Sequence, residues 1–230
     1  IQMLIYAHRG ASAEFPEGSK AAYEAAITQG ADGFECDVRL TKDLQIICYH
    51  DANTKRLTGI ELEIAKTDYL TLKKIANPLL FTELLDLAIK NKKHLAIETK
   101  HPTPTGGMIE KELHKLLIQK ADEIKASGIN ISIMSFSWFA TQRNIRAGFE
   151  SVYLFAEPLL INLNTAGVVG PALQIIKNKP DFVKQQKNSG RRVFVWTVND
   201  PSDVQLCAAA GVDVIMSDNP AQARKALGYA

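Results

Sequence analysis

The chain has 230 residues, of which 46% are hydrophobic and 23% are charged, the composition of an ordinary globular protein. The formal net charge of +2 is too small to indicate a nucleic-acid partner, and no apolar run is long enough to cross a membrane. The three cysteines (Cys36, Cys48 and Cys207) are odd in number and lack metal-type spacing. We therefore expect reduced thiols and a cytoplasmic protein.

Strand and helix patterns alternate along the whole chain, and the opening residues are typical of a strand and not of a signal peptide. Glycines follow several helical patterns, as at Gly128, Gly148 and Gly211. The predicted strands are 4–8, 33–40, 45–49, 94–99, 131–136, 152–155, 172–176, 193–198 and 212–217. The predicted helices are 18–29, 70–75, 81–91, 108–127, 137–147, 180–189, 202–210 and 220–227.

About eight strand–helix units with no break in composition favour a single α/β domain that spans 1–230. The best fit is a TIM (β/α)₈ barrel with a small, less regular insertion after the second strand, at roughly 51–78. An open, doubly wound sheet is the alternative.

Two carboxylates stand side by side on the second predicted strand. Glu35 and Asp37 are two residues apart, so their side chains point to the same face. Neighbouring carboxylates repel each other and are costly to desolvate, and a divalent ion such as Mg²⁺ or Ca²⁺ relieves both problems. An exposed edge strand with two solvated acids explains this stretch equally well.

Other polar residues also follow predicted strands. In an α/β barrel the carboxyl ends of the strands form the site, so these residues are expected to converge there. Each has a purely structural interpretation, and only their common placement favours function; His94, His101 and His114 are interpreted as structural. The converging residues are His8, Arg9, Glu35, Asp37, His50, Glu98, Lys100 and Trp196.

These residue types together indicate metal-assisted cleavage of a phosphodiester. A divalent ion on Glu35, Asp37 and Glu98 would polarise a phosphoryl oxygen. Arg9 and Lys100 would supply positive charge for the phosphate. Two histidines suit a general acid and a general base.

Short motifs with polar residues follow one another along the chain: His8-Arg9-Gly10, Pro16-Glu17-Gly18-Ser19, Gly33-Phe34-Glu35-Cys36-Asp37, His50-Asp51, Glu98-Thr99-Lys100, Ser135-Phe136, Trp196-Thr197-Val198-Asn199 and Ser217-Asp218-Asn219-Pro220. With these motifs the chain resembles the glycerophosphodiester phosphodiesterase family over nearly its whole length. Each motif is weak alone, but their occurrence in this order is specific. The resemblance implies His8 and His50 as the acid–base pair and Glu35, Asp37 and Glu98 as metal ligands. It also implies that Arg9, Lys100, Phe136 and Trp196 bind substrate.

The family resemblance implies a TIM barrel that hydrolyses glycerophosphocholine and related diesters to glycerol 3-phosphate and an alcohol. It implies one divalent cation, Mg²⁺ or Ca²⁺, and a role in lipid and glycerol metabolism. We expect a small-molecule substrate, no nucleic acid, no stable membrane insertion, and a monomer or homodimer.

The sequence departs from the family pattern at Gly18, where the family usually has Asn. Asn would cap the following helix, so Gly18 predicts a looser first loop. Three alternatives stay open: a lysophospholipase D or sphingomyelinase D-like enzyme, a catalytically silent binding barrel, and a sugar-phosphate barrel enzyme such as an aldolase.

Overall fold

The computed structural model describes residues 2–157, 161 and 164–229. Within them, eight parallel strands close a barrel in the order β1, β2, β4, β5, β6, β7, β8, β9 and back to β1. Strand β3 pairs antiparallel with β2 outside this ring. The predicted TIM barrel is confirmed, and the open sheet is wrong. The strands are β1 Leu4–His8, β2 Gly33–Leu40, β3 Ile46–Cys48, β4 His94–Thr99, β5 Ile131–Ser135, β6 Glu150–Phe155, β7 Val168–Pro171, β8 Arg192–Val195 and β9 Val214–Ser217.

The helices surround the barrel and cover the outer faces of its strands. Among the described residues, no helix is long and apolar enough to span a lipid bilayer. The helices are α1 Lys20–Thr28, α2 Lys55–Thr58, α3 Tyr69–Ile75, α4 Phe81–Asn91, α5 Met108–Gln119, α6 Ala121–Ser127, α7 Trp138–Arg146, α8 Leu173–Asn178, α9 Phe182–Asn188, α10 Pro201–Ala210 and α11 Pro220–Leu227, with a short 3₁₀ turn at Ile64–Lys66.

Side chains alternate between the two faces of each strand, which gives the barrel two apolar layers. Tyr6, Met134 and Phe194 belong to the inner cluster. Phe34 and Ile97 belong to a second cluster, which includes residues of the covering helices. On β2 the odd-numbered Glu35 and Asp37 therefore point to the barrel interior.

The segment between β3 and α4 contains α2, the 3₁₀ turn and α3. It has its own small apolar cluster, in which Ile64, Tyr69 and Leu72 pack on Ile47 and Tyr49 of the β2–β3 extension. The insertion thus stands next to the carboxyl end of β2, where His50 follows β3.

The predicted strand at 172–176 is wrong, because this stretch begins helix α8, and the seventh barrel strand precedes it. The Gly170-Pro171 pair at the end of that strand is typical of a turn and not of a strand when only the sequence is considered. In the fold, Gly170 is needed because a Cβ atom there would lie 2.5 Å from Cδ2 of Leu154. Ile175 and Ile176 are buried in the outer layer instead.

Two further expectations are corrected. The predicted helix at 108–127 is divided into α5 and α6 at Lys120, whose φ of −97° and ψ of 8° leave the helical path. Gly18 does not cap α1, since the hydroxyl of Ser19 accepts from the backbone N–H of Ala22. Gly18 instead has a φ of +69°, which glycine adopts without strain, so it fits this turn.

Candidate active site

Three neighbouring strands bring the predicted catalytic residues together. His8 ends β1, Glu35 and Asp37 lie on β2, and Glu98 lies on β4. The ladders pair His8 with Glu35 and Asp37 with Glu98. Since all four belong to the inward-facing set of positions, strand register makes them neighbours.

The three carboxylates of this group form a buried cluster. One oxygen of each lies within 4.8 Å of the others, and Glu35, Asp37 and Glu98 are only 1%, 3% and 8% exposed. Burial and the nearby negative charges raise the pKa of Glu35. Burial and Asp37 raise the pKa of Glu98 to about 7. Burial also acts to raise the pKa of Asp37, but Lys100 and Arg9 outweigh it and hold that pKa below its usual value.

Asp37 lies between two cations. Arg9 Nε is 2.9 Å from its Oδ2, and Lys100 Nζ is 3.2 Å from its Oδ1 and 2.7 Å from Glu98 Oε1. These are ion-pair distances, but neither Asp37 oxygen accepts an aligned hydrogen bond from a described residue. Both buried oxygens keep lone pairs for a ligand. Oxygen donors of this kind suit a hard divalent cation, so Glu35, Asp37 and Glu98 fit a metal site.

His8 is oriented by a carboxylate on the opposite side of its ring. Its Nδ1 lies 2.6 Å from Oδ1 of Asp218. The same oxygen accepts a hydrogen bond from the Ser12 hydroxyl, and Oδ2 of Asp218 accepts one from the side-chain amide of Asn199. Burial acts to raise the pKa of Asp218, but these hydrogen bonds lower it to about 2. Because a carboxylate only accepts, the ring proton belongs on Nδ1. Nε2 is then left free, 3.9 Å from Glu35.

His50 is held in the same way. Its Nδ1 lies 2.7 Å from Oδ1 of Asp51, and its backbone carbonyl accepts from Arg39 Nε at 2.9 Å. Burial lowers the pKa of His50, with Asp37 and Asp51 opposing. The imidazole is therefore mainly neutral near pH 7 and can accept a proton at Nε2.

A cavity of about 180 Å³ connects these groups. Part of its lining is polar and consists of His8, Arg9, Glu35, His50, Glu98 and Lys100. The rest, called the apolar wall below, is mostly apolar and consists of Met134, Phe136, Leu154, Trp196, Thr197 and Met216. On the apolar wall, Phe136 packs edge-on against Trp196 with 5.3 Å between ring centres. Trp196 is fixed by a hydrogen bond from its Nε1 to the carbonyl of Gly170.

All nine predicted site residues lie in or beside this cavity. Asp37 is the one that does not line it, and it contacts Arg9 and Lys100. His101 is hydrogen-bonded to Glu110 and His114 to Asn144, so neither contributes to the cavity.

Three polar partners were not predicted from the sequence: Asp218, Arg39 and Arg56. The signal for Asp218 was its position after the eighth strand of the barrel, where side chains meet those of β1. Arg39 lies two residues after Asp37 on the same strand, so the alternation of side chains places it on the same face as Glu35 and Asp37. Arg56 lies in the insertion, five residues after Asp51.

Comparison with known proteins agrees with this geometry. The model of the "Glycerophosphoryl diester phosphodiesterase family" matches residues 8–222. A relative from Mycobacterium tuberculosis, named "Probable glycerophosphodiester phosphodiesterase 1", is 32% identical over 249 residues, which cover 96% of this chain and 91% of the relative.

Solved structures share the fold. The glycerophosphodiester phosphodiesterase of Thermotoga maritima superposes with a TM-score of 0.81 at 23% identity, covering 98% of both chains. A phosphodiesterase of Oleispira antarctica, solved in complex with the product sn-glycerol-3-phosphate, has a TM-score of 0.81 at 21% identity, covering 98% of this chain and 96% of that one.

Proposed function

The chain belongs to the glycerophosphoryl diester phosphodiesterase family, and we propose that it hydrolyses glycerophosphodiesters to glycerol 3-phosphate and an alcohol by acid–base catalysis beside one divalent cation. The observation that carries this proposal is the pair of aspartate-oriented histidines in one cavity with a buried carboxylate cluster. The product complex of the Oleispira antarctica phosphodiesterase supports glycerol 3-phosphate as the product.

The divalent cation belongs on Glu35, Asp37 and Glu98. When bound, Mg²⁺ or Ca²⁺ supplies positive charge that polarises a phosphoryl oxygen. The fit rests on the donor set, which is three carboxylates whose burial and mutual repulsion raise the pKa of Glu35 and Glu98.

Arg9 and Lys100 bind the phosphate in this proposal. Both line the cavity and both are at most 20% exposed at the side chain, so their charge acts in a poorly solvated environment, where it is stronger than in water. A phosphodiester carries a single negative charge, and two fixed cations orient it while opposing the charge that develops on its oxygens.

His8 and His50 transfer the protons. Each keeps its Nδ1–H on an aspartate and presents Nε2 to the cavity. One accepts the proton of the attacking hydroxyl, and the other, once protonated, gives a proton to the leaving alkoxide. The aspartate partners stabilise the imidazolium that forms at each stage.

Phe136 and Trp196 belong to the apolar wall and contact the carbon atoms of the glycerol moiety. The edge-on contact between the rings and the hydrogen bond of Trp196 to Gly170 hold this wall in place. Cytoplasmic location, headgroup preference, oligomeric state and a role in lipid metabolism stay predictions.

The first test is release of glycerol 3-phosphate from glycerophosphocholine and glycerophosphoethanolamine. We expect turnover with Mg²⁺ or Ca²⁺ and none with EDTA. His8→Gln and His50→Gln should each lower kcat by about 10²- to 10⁴-fold without changing the circular dichroism spectrum. His114→Gln, at an outer histidine that binds Asn144, is the matched control and should keep full activity.

Three results would contradict the proposal. Turnover that persists in EDTA would exclude the cation, and a fully active His8 or His50 variant would exclude the acid–base pair. Absence of turnover on both diesters would favour the alternatives: release of choline from lysophosphatidylcholine would identify a lysophospholipase D, and binding without turnover would identify a silent barrel.

A further inference from the structure

Arg56 lies in the insertion, on the short helix α2, and binds two carboxylates at once. Its Nε donates to Oδ2 of Asp51 at 2.5 Å. Its Nη1 and Nη2 donate to the two oxygens of Glu17 at 2.9 and 2.7 Å. All three guanidinium nitrogens are therefore engaged, in the two-pronged geometry that only arginine provides.

Each of these carboxylates has a second partner at the catalytic centre. The other oxygen of Asp51 binds Nδ1 of His50 at 2.7 Å. Oε1 of Glu17 also accepts from Nη1 of Arg9 at 3.1 Å. Arg56 itself does not line the cavity, so it contacts the reacting groups only through Asp51 and Glu17.

The network differs from an ordinary surface ion pair. Isolated exposed pairs contribute little, because both side chains must be ordered in water. Here the Arg56 side chain is 46% exposed, but the Glu17 and Asp51 side chains are only 20% and 25% exposed, and both bind the same guanidinium group. The mutual stabilisation lowers the pKa of both carboxylates and raises that of Arg56, so all three stay charged at neutral pH.

We propose that Arg56 is a positioning residue for phosphodiester cleavage, which holds Asp51 against the His50 ring and Glu17 against the Arg9 guanidinium. The insertion thereby fixes an acid–base group and a phosphate-binding group together. The catalytic part of this inference rests on the proposed function, whereas the positioning of the His50 ring can be measured without turnover.

The experiment compares Arg56→Ala and Arg56→Lys with Lys55→Ala. Lys55 is the matched control because it is the preceding residue of α2 and pairs with Glu61, away from the cavity. The readouts are kcat and KM for glycerophosphocholine, the melting temperature, and the proton NMR resonance of the His50 Nδ1–H, assigned by its absence in His50→Gln.

For Arg56→Ala we expect kcat to fall roughly 10- to 100-fold, the range typical when a hydrogen-bonding partner that orients a functional side chain is removed. The rise in KM should be smaller. Guanidinium chloride at non-denaturing concentration should restore part of kcat. The His50 Nδ1–H proton should exchange with solvent so fast that its resonance disappears. Arg56→Lys should recover little, because an ammonium cannot make three directed contacts. Lys55→Ala should match the wild type in every readout.

Other outcomes separate the two proposals. A wild-type kcat in Arg56→Ala, or a lower kcat that guanidinium does not restore while the His50 resonance persists, would overturn the positioning role. An inactive wild-type enzyme would refute the proposed function alone, and the His50 resonance would still decide whether Arg56 orients the ring.

Discussion

His8 and His50 have equivalent hydrogen bonds, but different surroundings stabilise their aspartates. Asp218 accepts from the neutral donors Ser12 and Asn199, whereas Asp51 is bound by the cation Arg56. The two histidine partners thus differ in their surroundings, with neutral donors around Asp218 and a cation beside Asp51.

Glu98 gives the cation site a specific pH dependence. Without a cation, its pKa is about 7 in the native state against 4.5 for an ordinary glutamate. Between these two pH values the native protein keeps a proton on Glu98 that the unfolded chain releases. The protonated Glu98 therefore contributes to the free energy of unfolding at low pH, and this contribution is lost as the pH rises from about 4.5 through about 7. A bound cation replaces that proton.

We therefore predict that Mg²⁺ or Ca²⁺ raises the melting temperature more at about pH 8 than at about pH 5, since at the lower pH the ion competes with protons on Glu35 and Glu98. Differential scanning fluorimetry with and without EDTA measures this. Glu98→Gln should remove most of the ion-induced shift. An equal shift at both pH values would show that the ion binds elsewhere.

At the scale of elements, the loop after β1 packs closely against α1, and Gly10 makes this possible. Gly10 has a φ of +85°, and a Cβ atom there would lie 2.6 Å from the Cβ and the carbonyl carbon of Ala22. Glycine is thus required twice, by the backbone conformation and by the space available.

Gly10→Ala should lower the free energy of unfolding by about 2–5 kcal/mol, from left-handed strain and overpacking together. Urea denaturation measures the change. Gly167→Ala is the control, because a Cβ atom at Gly167 meets nothing within 4 Å, and it should be nearly neutral. Equal stability of the two variants would contradict the close packing of β1 on α1.

At the scale of the whole molecule, the insertion is joined to the barrel by packing and by charge. Its apolar cluster includes Ile47 and Tyr49, which belong to the β2–β3 extension. Arg56 ties it to Glu17 in the first barrel loop. These connections favour a single cooperative unit.

We predict one unfolding transition for the barrel and its insertion. Far-ultraviolet circular dichroism reports all the helices, and tryptophan fluorescence reports Trp138 and Trp196, both in the barrel. The two thermal transitions should coincide. An earlier transition in hydrogen exchange confined to α3 Tyr69–Ile75 would show that the insertion unfolds independently and would contradict the single-domain prediction.

The sequence by itself determined the barrel and most of the residues that line the candidate cavity. Both depend on local patterns: strand periodicity places Glu35 and Asp37 on one face, and the alternation of strands with helices brings strand ends to one rim. The motif order then indicated the family, which the family comparison confirmed.

Tertiary structure alone decided that Asp218 orients His8 and that Arg56 binds Glu17. Asp218 is 210 residues from His8, and Glu17 is 39 residues from Arg56, so no local pattern links them. Only closure of the barrel places β9 beside β1, and only the folded insertion directs Arg56 at both carboxylates. For the same reason the strand at 172–176 was misplaced, because Gly170 is locally typical of a turn, and only its close contact with Leu154 on the neighbouring strand β6 explains the glycine.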